Sequence, residues 1–386
     1  MISTRSKLPD VGTTIFTVIS RRAEELGAVN LGQGFPDYPI DSRLTELVTS
    51  AMQAGFNQYA PMPGLPALVT RIAADIQQRY GLAVDPQQEL TITLGATEAI
   101  FSSIQALVGP GEEVIVFDPA YDSYDPAVRL AGARCVHVPL LPPGFAYDWD
   151  RVRAAINPRT CMIIINSPHN PACTVMSRAD LRQLAQLAEA HDLIVLSDEV
   201  YEHLVYDGAT HCSVLTEPAL RARSLAVFSF GKALHATGLR VGYCVAPAAL
   251  TVELRRVHQF NTFTIATALQ HAIAAYLTEK PAIYAGLPAF FDAKRRLLAT
   301  GLQGSVLRVL SSQGTYFTLI DYAQSQLLGA LDDSEAARLL LEQAGVAAIP
   351  LAPFYREPVK HRLLRLCFAK RDATLHKALE RLQTLR

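Results

Sequence analysis

The segment SFGKALHATGLRVGY, residues 229–243, places one lysine in a turn of small residues directly after the apolar run LAVF. Burial disfavours an ammonium ion, so we expect the pKa of Lys232 to fall towards neutrality. The free amine could then attack a carbonyl carbon and form a Schiff base. Ser229 and Arg240 lie close to Lys232 in the sequence and could both donate hydrogen bonds to a phosphate group. The segment is therefore a candidate site for pyridoxal 5'-phosphate.

Two alternatives compete with this interpretation. A lysine after a glycine is most often a solvated loop residue, so the flanking Ser229 and Arg240 carry the argument. The spacing Ser229-x-x-Lys232 also occurs in serine β-lactamases and penicillin-binding proteins, where the serine is the nucleophile. The companion Lys-Thr-Gly and Ser-Asp-Asn motifs of those enzymes are absent from this sequence, which makes the second alternative weak.

Composition limits the class of protein. The chain has 386 residues, of which 50% are hydrophobic and 18% charged, so it can build a large core. Its net charge of -1 provides no field that would attract nucleic acid or an acidic membrane. The six cysteines never form C-x-x-C, and the first ten residues lack an apolar signal segment. We expect a cytoplasmic protein with reduced thiols that binds small molecules and contacts neither nucleic acid nor membrane.

Apolar runs alternate with amphipathic helical patterns from residue 90 to residue 230, which predicts a mainly parallel sheet covered by helices. Ligands bind at the carboxyl ends of the strands in such sheets. Small, polar and aromatic residues follow the apolar runs here. The segments are Gly95-Ala96-Thr97, DPAY (118–121), NSPHN (166–170), DEVY (198–201) and SFGK (229–232).

These segments, in this order, resemble the pyridoxal-phosphate-dependent aminotransferases of fold type I, class I/II. The similarity covers residues 16–370 and includes NLGQGFPDYP, GATEAIF, DPAYDSY, SPHNP, SDEVYE, ATGLRVGY and RLCFAK. Within the family, the motifs are most similar to the branch of kynurenine, glutamine and bacterial methionine aminotransferases. The resemblance implies an α/β fold, with a large domain around a mainly parallel seven-stranded sheet and a smaller α/β domain. We expect an N-terminal arm and part of the small domain at 1–40, the large cofactor-binding domain at 41–285 and the small C-terminal domain at 286–386.

The resemblance also implies roles for the residues that hold the cofactor ring. Lys232 carries the cofactor and later moves a proton, and Asp198 faces the pyridine nitrogen. A helix N-cap is the alternative role for Asp198, and Asp118 competes with it for the position at the nitrogen. Tyr201 and Asn170 contact the phenolic oxygen of the cofactor, and Tyr121 stacks on its ring.

Further roles concern the phosphate and the substrate. The phosphate is held by Ala96 and Thr97 at a helix start, together with Ser229, Arg240 and Tyr59 from the partner subunit of a homodimer. The carboxylate of Glu98 would repel a phosphate at this helix start unless the side chain points away. By resemblance Arg365 binds the substrate carboxylate, but spacing alone leaves Arg356 and Arg362 open. Substrate contacts are also implied for the residues Gly34, Phe16, Asn170 and Phe263.

The resemblance implies transfer of the amino group of methionine, aromatic or other neutral amino acids to a 2-oxo acid. A cysteine-conjugate β-lyase and a glutamine- or kynurenine-preferring aminotransferase are alternatives with the same cofactor. An alternative outside enzymology is a cofactor-binding regulatory module of a transcription factor, but no basic helix-turn-helix segment supports it.

Overall fold

The structure is a computed structural model that describes residues 5–385. Residues 1–4 and Arg386, which belong to the predicted first and last domains, lie outside the described residues. The helices are α1 (Ile15–Glu25), α2 (Ser42–Gln53), α3 (Pro66–Tyr80), α4 (Gly95–Leu107), α5 (Tyr124–Leu130), α6 (Trp149–Ala155), α7 (Arg178–Ala190), α8 (Pro218–Arg221), α9 (Phe230–Ala233), α10 (Ala248–Asn261), α11 (Thr267–Glu279), α12 (Leu287–Gly301), α13 (Asp333–Ala344) and α14 (Asp372–Leu382).

The strands form three sheets. They are β1 (Val29–Asn30), β2 (Leu90–Thr93), β3 (Glu113–Asp118), β4 (Arg134–Pro139), β5 (Thr160–Asn166), β6 (Ile194–Asp198), β7 (Ser224–Ser229), β8 (Gly242–Val245), β9 (Arg308–Val309), β10 (Phe317–Asp321), β11 (Val346–Ala347), β12 (Ile349–Pro350) and β13 (Leu363–Cys367).

The largest sheet has seven strands in the order β2-β8-β7-β6-β5-β3-β4. All its neighbouring pairs are parallel except those of β8, which runs antiparallel to β2 and β7. Strands β2 and β3 are buried along their whole length, as expected for a sheet covered on both faces. The predicted α/β fold with a mainly parallel seven-stranded sheet is confirmed.

A second sheet contains four antiparallel strands in the order β12-β13-β10-β9. The apolar sequence VAAIP (346–350) predicts one strand, and that prediction is wrong. Ala348 separates β11, which pairs with β1, from β12, which pairs with β13. The short break lets adjacent residues join different sheets.

Local signals set the boundaries of several helices. The spacing Ser177-x-x-Asp180 predicts a capping box, and the structure confirms it, with each side chain bonded to the other residue's backbone N–H. Helix α3 begins at Pro66 and ends before Gly81, which has the left-handed φ of 70° that favours glycine. In residues 5–385, no helix has both the length and the apolar composition needed to cross a membrane.

Candidate active site

A cavity of about 120 Å³ opens at the carboxyl ends of the parallel strands of the large sheet. Its walls come from the first turn of α4 and from the segments that follow β3, β5, β6 and β7. Asn166 and Val200 also line it. The cavity brings together nine of the residues predicted from sequence: Ala96, Thr97, Tyr121, Asn170, Asp198, Tyr201, Ser229, Lys232 and Arg240.

Lys232 lies in the short helix α9, directly after β7, and its side chain points into this cavity. Burial lowers the pKa of Lys232 to about 8, although the carboxylate of Asp198 acts in the opposite direction. The Nζ atom donates a 3.1 Å hydrogen bond to the hydroxyl of Tyr316. A substantial fraction of Lys232 is therefore a neutral amine close to pH 8, as nucleophilic attack on a carbonyl requires.

The start of α4 and Arg240 together form one end of the cavity. The side chain of the N-cap residue Leu94 accepts no hydrogen bond from the first turn of α4, so the backbone N–H groups of that turn are free to bind an anion. A Cβ atom on Gly95 would lie 2.8 Å from the Arg240 guanidinium, which shows how closely the arginine approaches the helix start. Ala96, Thr97 and Ser229 line the same end. The donors and the positive charge suit a phosphate group.

Glu98, in the first turn of α4, points away from this end of the cavity. Its carboxylate accepts hydrogen bonds from the backbone N–H of Leu94 and from the Ser102 hydroxyl, the latter at 2.5 Å. It also contacts Nδ1 of His258 at 3.1 Å. The side chain therefore caps its own helix and leaves the remaining N–H groups available.

Asp198 ends β6 and lines the same cavity. Burial raises the pKa of Asp198 to about 6, and the hydrogen bond from Tyr124 opposes that increase. The Tyr124 hydroxyl donates to Oδ2 of Asp198 over 2.8 Å. No helix begins at Asp198 in the described chain, since residues 200–203 form a turn. The N-cap role considered for Asp198 is therefore wrong.

Asp118, the competing carboxylate, is engaged elsewhere. Its Oδ1 atom lies 2.8 Å from Nδ1 of His137, and its Oδ2 atom accepts a 2.7 Å hydrogen bond from the backbone N–H of Arg356. Asp118 is absent from the residues that line the cavity at Lys232. Of the two carboxylates, the geometry favours Asp198 for a role at the cofactor ring.

Arg365 lies in the middle of β13 and is 1% exposed. Its guanidinium donates to Oδ1 of Asn170 at 2.6 Å and to the carbonyl oxygen of Gly32 at 3.0 Å. It also lies 3.9 Å from the centre of the Phe317 ring. Nε of Arg365 is buried without a partner, and the guanidinium forms no ion pair with any residue from 5 to 385. A buried arginine with no counter-charge is suited to bind an anionic ligand group.

The other two arginines that sequence spacing left open have different contacts. The backbone of Arg356 binds Asp118, and the guanidinium of Arg362 donates to the carbonyl oxygens of Gly329 and His361. Phe16 lies close to Arg365, and Gly34 lies close to Phe317, whose ring contacts Arg365. The Phe16 ring is 5.2 Å from the guanidinium, and a Cβ atom on Gly34 would lie 2.8 Å from Phe317.

Tyr59 and Phe263 do not line the cavity at Lys232 within one subunit. Their rings contact each other edge to face at 5.2 Å on a separate part of the surface. Tyr59 is 82% exposed, and the nearby Phe260 is 86% exposed. Exposed aromatic residues grouped in this way are typical of an interaction surface.

Sequence reasoning missed three residues at or behind this site. Tyr124 binds Asp198, Asn166 lines the cavity and bonds to the backbone of Asn170, and Tyr316 binds Lys232. Asn166 begins the segment NSPHN at a strand end, and Tyr124 is the last residue of the motif DPAYDSY, so their positions were a usable signal. Tyr316 precedes a strand of the other sheet, so the spacing between it and Lys232 gave no signal.

Comparison with known proteins identifies the family to which this chain belongs. Residues 27–382 match the family described as aminotransferase class I and II, and the chain belongs to that family. The protein is therefore an aminotransferase, as the sequence motifs predicted.

Its relatives match over nearly the full length. The methionine aminotransferase of Escherichia coli (strain K12) is 47% identical over 381 residues, covering 99% of this chain and 98% of the relative. Kynurenine–oxoglutarate transaminase 1 of Rattus norvegicus is 33% identical, with 98% and 96% covered. A crystal structure from Escherichia coli, described as identifying a methionine aminotransferase function, has a TM-score of 0.97 and 46% identity, with both chains fully covered. The predicted branch of the family is confirmed.

Proposed function

We propose that this aminotransferase uses pyridoxal 5'-phosphate to move the amino group of methionine, aromatic or other neutral amino acids to a 2-oxo acid. The observation that carries the proposal is the position of Arg365, buried without a counter-charge and bonded through Asn170 to the cavity that holds Lys232. A ligand that presents a carboxylate beside an amino or keto carbon would use both the guanidinium of Arg365 and the amine of Lys232.

The residues of the cavity fit the proposed cofactor. When bound, pyridoxal phosphate supplies a carbonyl that carries the amino group and a ring that withdraws electrons from the substrate. Ala96, Thr97, Ser229 and Arg240 would hold its phosphate, with Tyr59 of a second subunit. In the proposed roles, Asp198 would hold a proton on the ring nitrogen, Tyr121 would cover the ring, and Asn170 and Tyr201 would bind the phenolic oxygen.

Lys232 then acts as the proton carrier. With its pKa lowered to about 8 by burial, its free amine is a suitable base for a carbon acid at neutral pH. With the cofactor bound, Lys232 would remove the proton from the substrate α-carbon and hold it for return, and the cofactor ring would make that carbon acidic. Asp198, which lines the same cavity, is only 5% exposed to water.

Arg365 orients the substrate for this proton transfer. Its two Nη atoms already point at Asn170 and Gly32, which fixes the plane of the guanidinium before a ligand binds. A preorganised arginine can bind a carboxylate through two hydrogen bonds. Gly34, whose missing side chain leaves room beside Phe317, would add a backbone N–H to the same carboxylate.

The preference for neutral donors rests on the contacts of two arginines near the aromatic residues of α10. Arg255 donates to the Thr91 hydroxyl and to the carbonyl oxygens of Gln87 and Leu90. Arg256 forms an ion pair with Glu253. Both cations are therefore occupied, and a second substrate carboxylate would face aromatic rings without a partner, at considerable cost. Methionine gains instead from sulfur–aromatic contact.

The assembly follows from the same proposal. We propose a homodimer in which the exposed Tyr59 and Phe263 complete the partner's site. We also propose that the chain is divided into the ranges 1–40, 41–285 and 286–386. The separation of the seven-stranded sheet from the four-stranded sheet supports a division of the chain into two lobes. A cytoplasmic location is supported by the six cysteines, all of which have free thiols.

The test is a panel of amino donors with one 2-oxo acid acceptor, scored by kcat/KM. Methionine and phenylalanine should exceed aspartate and glutamate. Breadth among methionine, phenylalanine, histidine and glutamine is expected, because one apolar pocket discriminates by only about 10- to 200-fold per methylene-sized difference. Aspartate as the best donor would contradict the proposed pocket and leave the cofactor chemistry intact.

A further inference from the structure

The hydroxyl of Tyr316 lies between the catalytic lysine and the segment proposed to bind the substrate carboxylate. It accepts a 3.1 Å hydrogen bond from Nζ of Lys232 and donates a 2.5 Å hydrogen bond to the carbonyl oxygen of Gly34. Tyr316 directly precedes β10 of the four-stranded sheet, whereas Lys232 follows β7 of the seven-stranded sheet. One hydroxyl therefore connects the two halves of the site.

The number of hydrogen atoms that each group can donate fixes the direction of both hydrogen bonds. A tyrosine hydroxyl has one hydrogen, and here the carbonyl of Gly34 can only accept it. The oxygen must therefore accept an N–H from Lys232. A neutral lysine amine has two N–H groups and one lone pair. When Tyr316 holds one N–H, rotation of the amine is restricted, and the lone pair must take one of the two remaining positions on a residue that lines the cavity.

The ring of Tyr316 is held firmly enough for this task. It is fully buried and contacts the ring of Tyr201 edge to face at 5.2 Å and the ring of Phe291 at 5.8 Å. The absent side chain of Gly34 permits the close approach, since a Cβ atom there would lie 3.9 Å from Tyr316 and 2.8 Å from Phe317. The hydroxyl therefore has a defined position.

We propose that Tyr316 is a positioning residue that holds the amine of Lys232 whenever that amine is free, and couples its position to the carboxylate-binding segment at Gly34. The inference rests on the proposed function, in which Lys232 is released and then moves a proton. A shift of Gly34 when a substrate carboxylate binds would be transmitted through one hydroxyl to the base.

The test compares Tyr316→Phe with Tyr206→Phe as a matched control. Tyr206 is also buried, and its hydroxyl donates a 2.6 Å hydrogen bond to the carbonyl oxygen of Thr315, the residue next to Tyr316. Each variant therefore loses one buried hydroxyl-to-carbonyl bond in the same region, but only Tyr316 contacts Lys232. Two quantities are measured for each: the rate of the half-reaction with methionine in the holoenzyme, and the rate at which the cofactor-free full chain combines with pyridoxal phosphate between pH 6 and pH 9.

The two rates should move in opposite directions in Tyr316→Phe. The half-reaction should slow by about 10-fold or more because the base loses its orientation. Losing an acceptor that favours the ammonium form lowers the pKa of Lys232 further, so more free amine is present at pH 6.5 and combination with pyridoxal phosphate should be about 2- to 5-fold faster. The charged and titratable groups that act on Lys232 are otherwise unchanged; they are Asp198, Arg240, Cys367 and Arg365.

A general disturbance of the fold would slow both rates, and that result would overturn the proposal. An unchanged half-reaction in Tyr316→Phe, or an equal loss in Tyr206→Phe, would overturn it as well. Failure of the proposed donor class appears separately, as a wild-type enzyme that does not react with methionine. In that case the pH profile of combination with pyridoxal phosphate still tests the contact between Tyr316 and Lys232.

Discussion

Arg365 and Asn170 are joined by a 2.6 Å hydrogen bond although they lie in different parts of the chain. Arg365 belongs to β13 of the four-stranded sheet, and Asn170 follows β5 of the seven-stranded sheet. The same asparagine lines the cavity that contains Lys232. The bond therefore fixes the proposed carboxylate site at a set distance from the reactive amine, which is what transfer of a proton from the α-carbon requires.

Replacing Arg365 with alanine should lower kcat/KM for every amino donor together. The guanidinium binds the carboxylate that all donors share, and the loss of charge-assisted hydrogen bonds predicts a decrease of about 100-fold. The measurement is the same donor panel run on the variant. Arg362→Ala is the control, because that guanidinium binds the carbonyl oxygens of Gly329 and His361, and its kcat/KM should change little. Selective loss of one donor in Arg365→Ala would argue for a side-chain contact.

Asp198→Asn should bind the cofactor but transfer amino groups at least about 100-fold more slowly, because an amide does not keep a proton on the ring nitrogen. Asp118→Asn should retain most of the activity, since Asp118 contacts His137 and the backbone of Arg356. The cofactor content and the half-reaction rate of both variants give the answer. The opposite ranking would place the ring nitrogen at Asp118.

His137 should contribute to stability in a pH-dependent manner. Burial alone would lower its pKa, but hydrogen bonds with Asp118 and Asp125 outweigh burial and raise it to about 9. The folded state then binds a proton more tightly than the unfolded state, whose histidine titrates near 6.5. The stabilisation is fully present below about pH 6.5 and is lost as the pH rises through about 9.

The variant His137→Gln should therefore reduce the free energy of unfolding by about 2 kcal/mol at pH 6, and by much less at pH 10. Urea denaturation at the two pH values measures the difference. His376→Gln provides a reference, because His376 is an exposed residue of α14. An equal cost of His137→Gln at both pH values would mean that its contacts with the two aspartates do not depend on its charge.

Subunit exchange tests whether the site is shared. Inactive Lys232→Ala dimers are mixed with dimers of a poorly active Tyr59→Ala variant. If Tyr59 completes the partner's site, each hybrid contains one site with both defects and one intact site, so activity should recover. No recovery, with exchange demonstrated independently, would mean that each subunit builds its own site.

Much of the site could be predicted because its residues follow strands. The parallel strands bring Asp198, Asn170 and Lys232 to one edge of the sheet, so the order of apolar runs was sufficient to group them. The choice between Asp198 and Asp118 needed coordinates, because both follow strands and only their hydrogen-bond partners differ.

Contacts between the two sheets were beyond the reach of the sequence. Tyr316 and Lys232 are 84 residues apart, and Arg365 and Asn170 are 195 residues apart. No periodicity relates residues at such separations. Short strands were also missed for a physical reason. VAAIP is apolar throughout, and a change of sheet partner at Ala348 leaves no trace in its pattern.

The most direct test of the central claim is the absorbance spectrum of the purified protein before and after addition of methionine, beside that of Lys232→Ala. The wild-type protein should carry a yellow lysine-bound cofactor whose absorbance methionine shifts, and a 2-oxo acid should restore the original spectrum. Lys232→Ala should lack the lysine-bound absorbance and turn over slower by orders of magnitude. An unaltered spectrum in Lys232→Ala, or a wild-type spectrum that methionine leaves unchanged, would contradict the account.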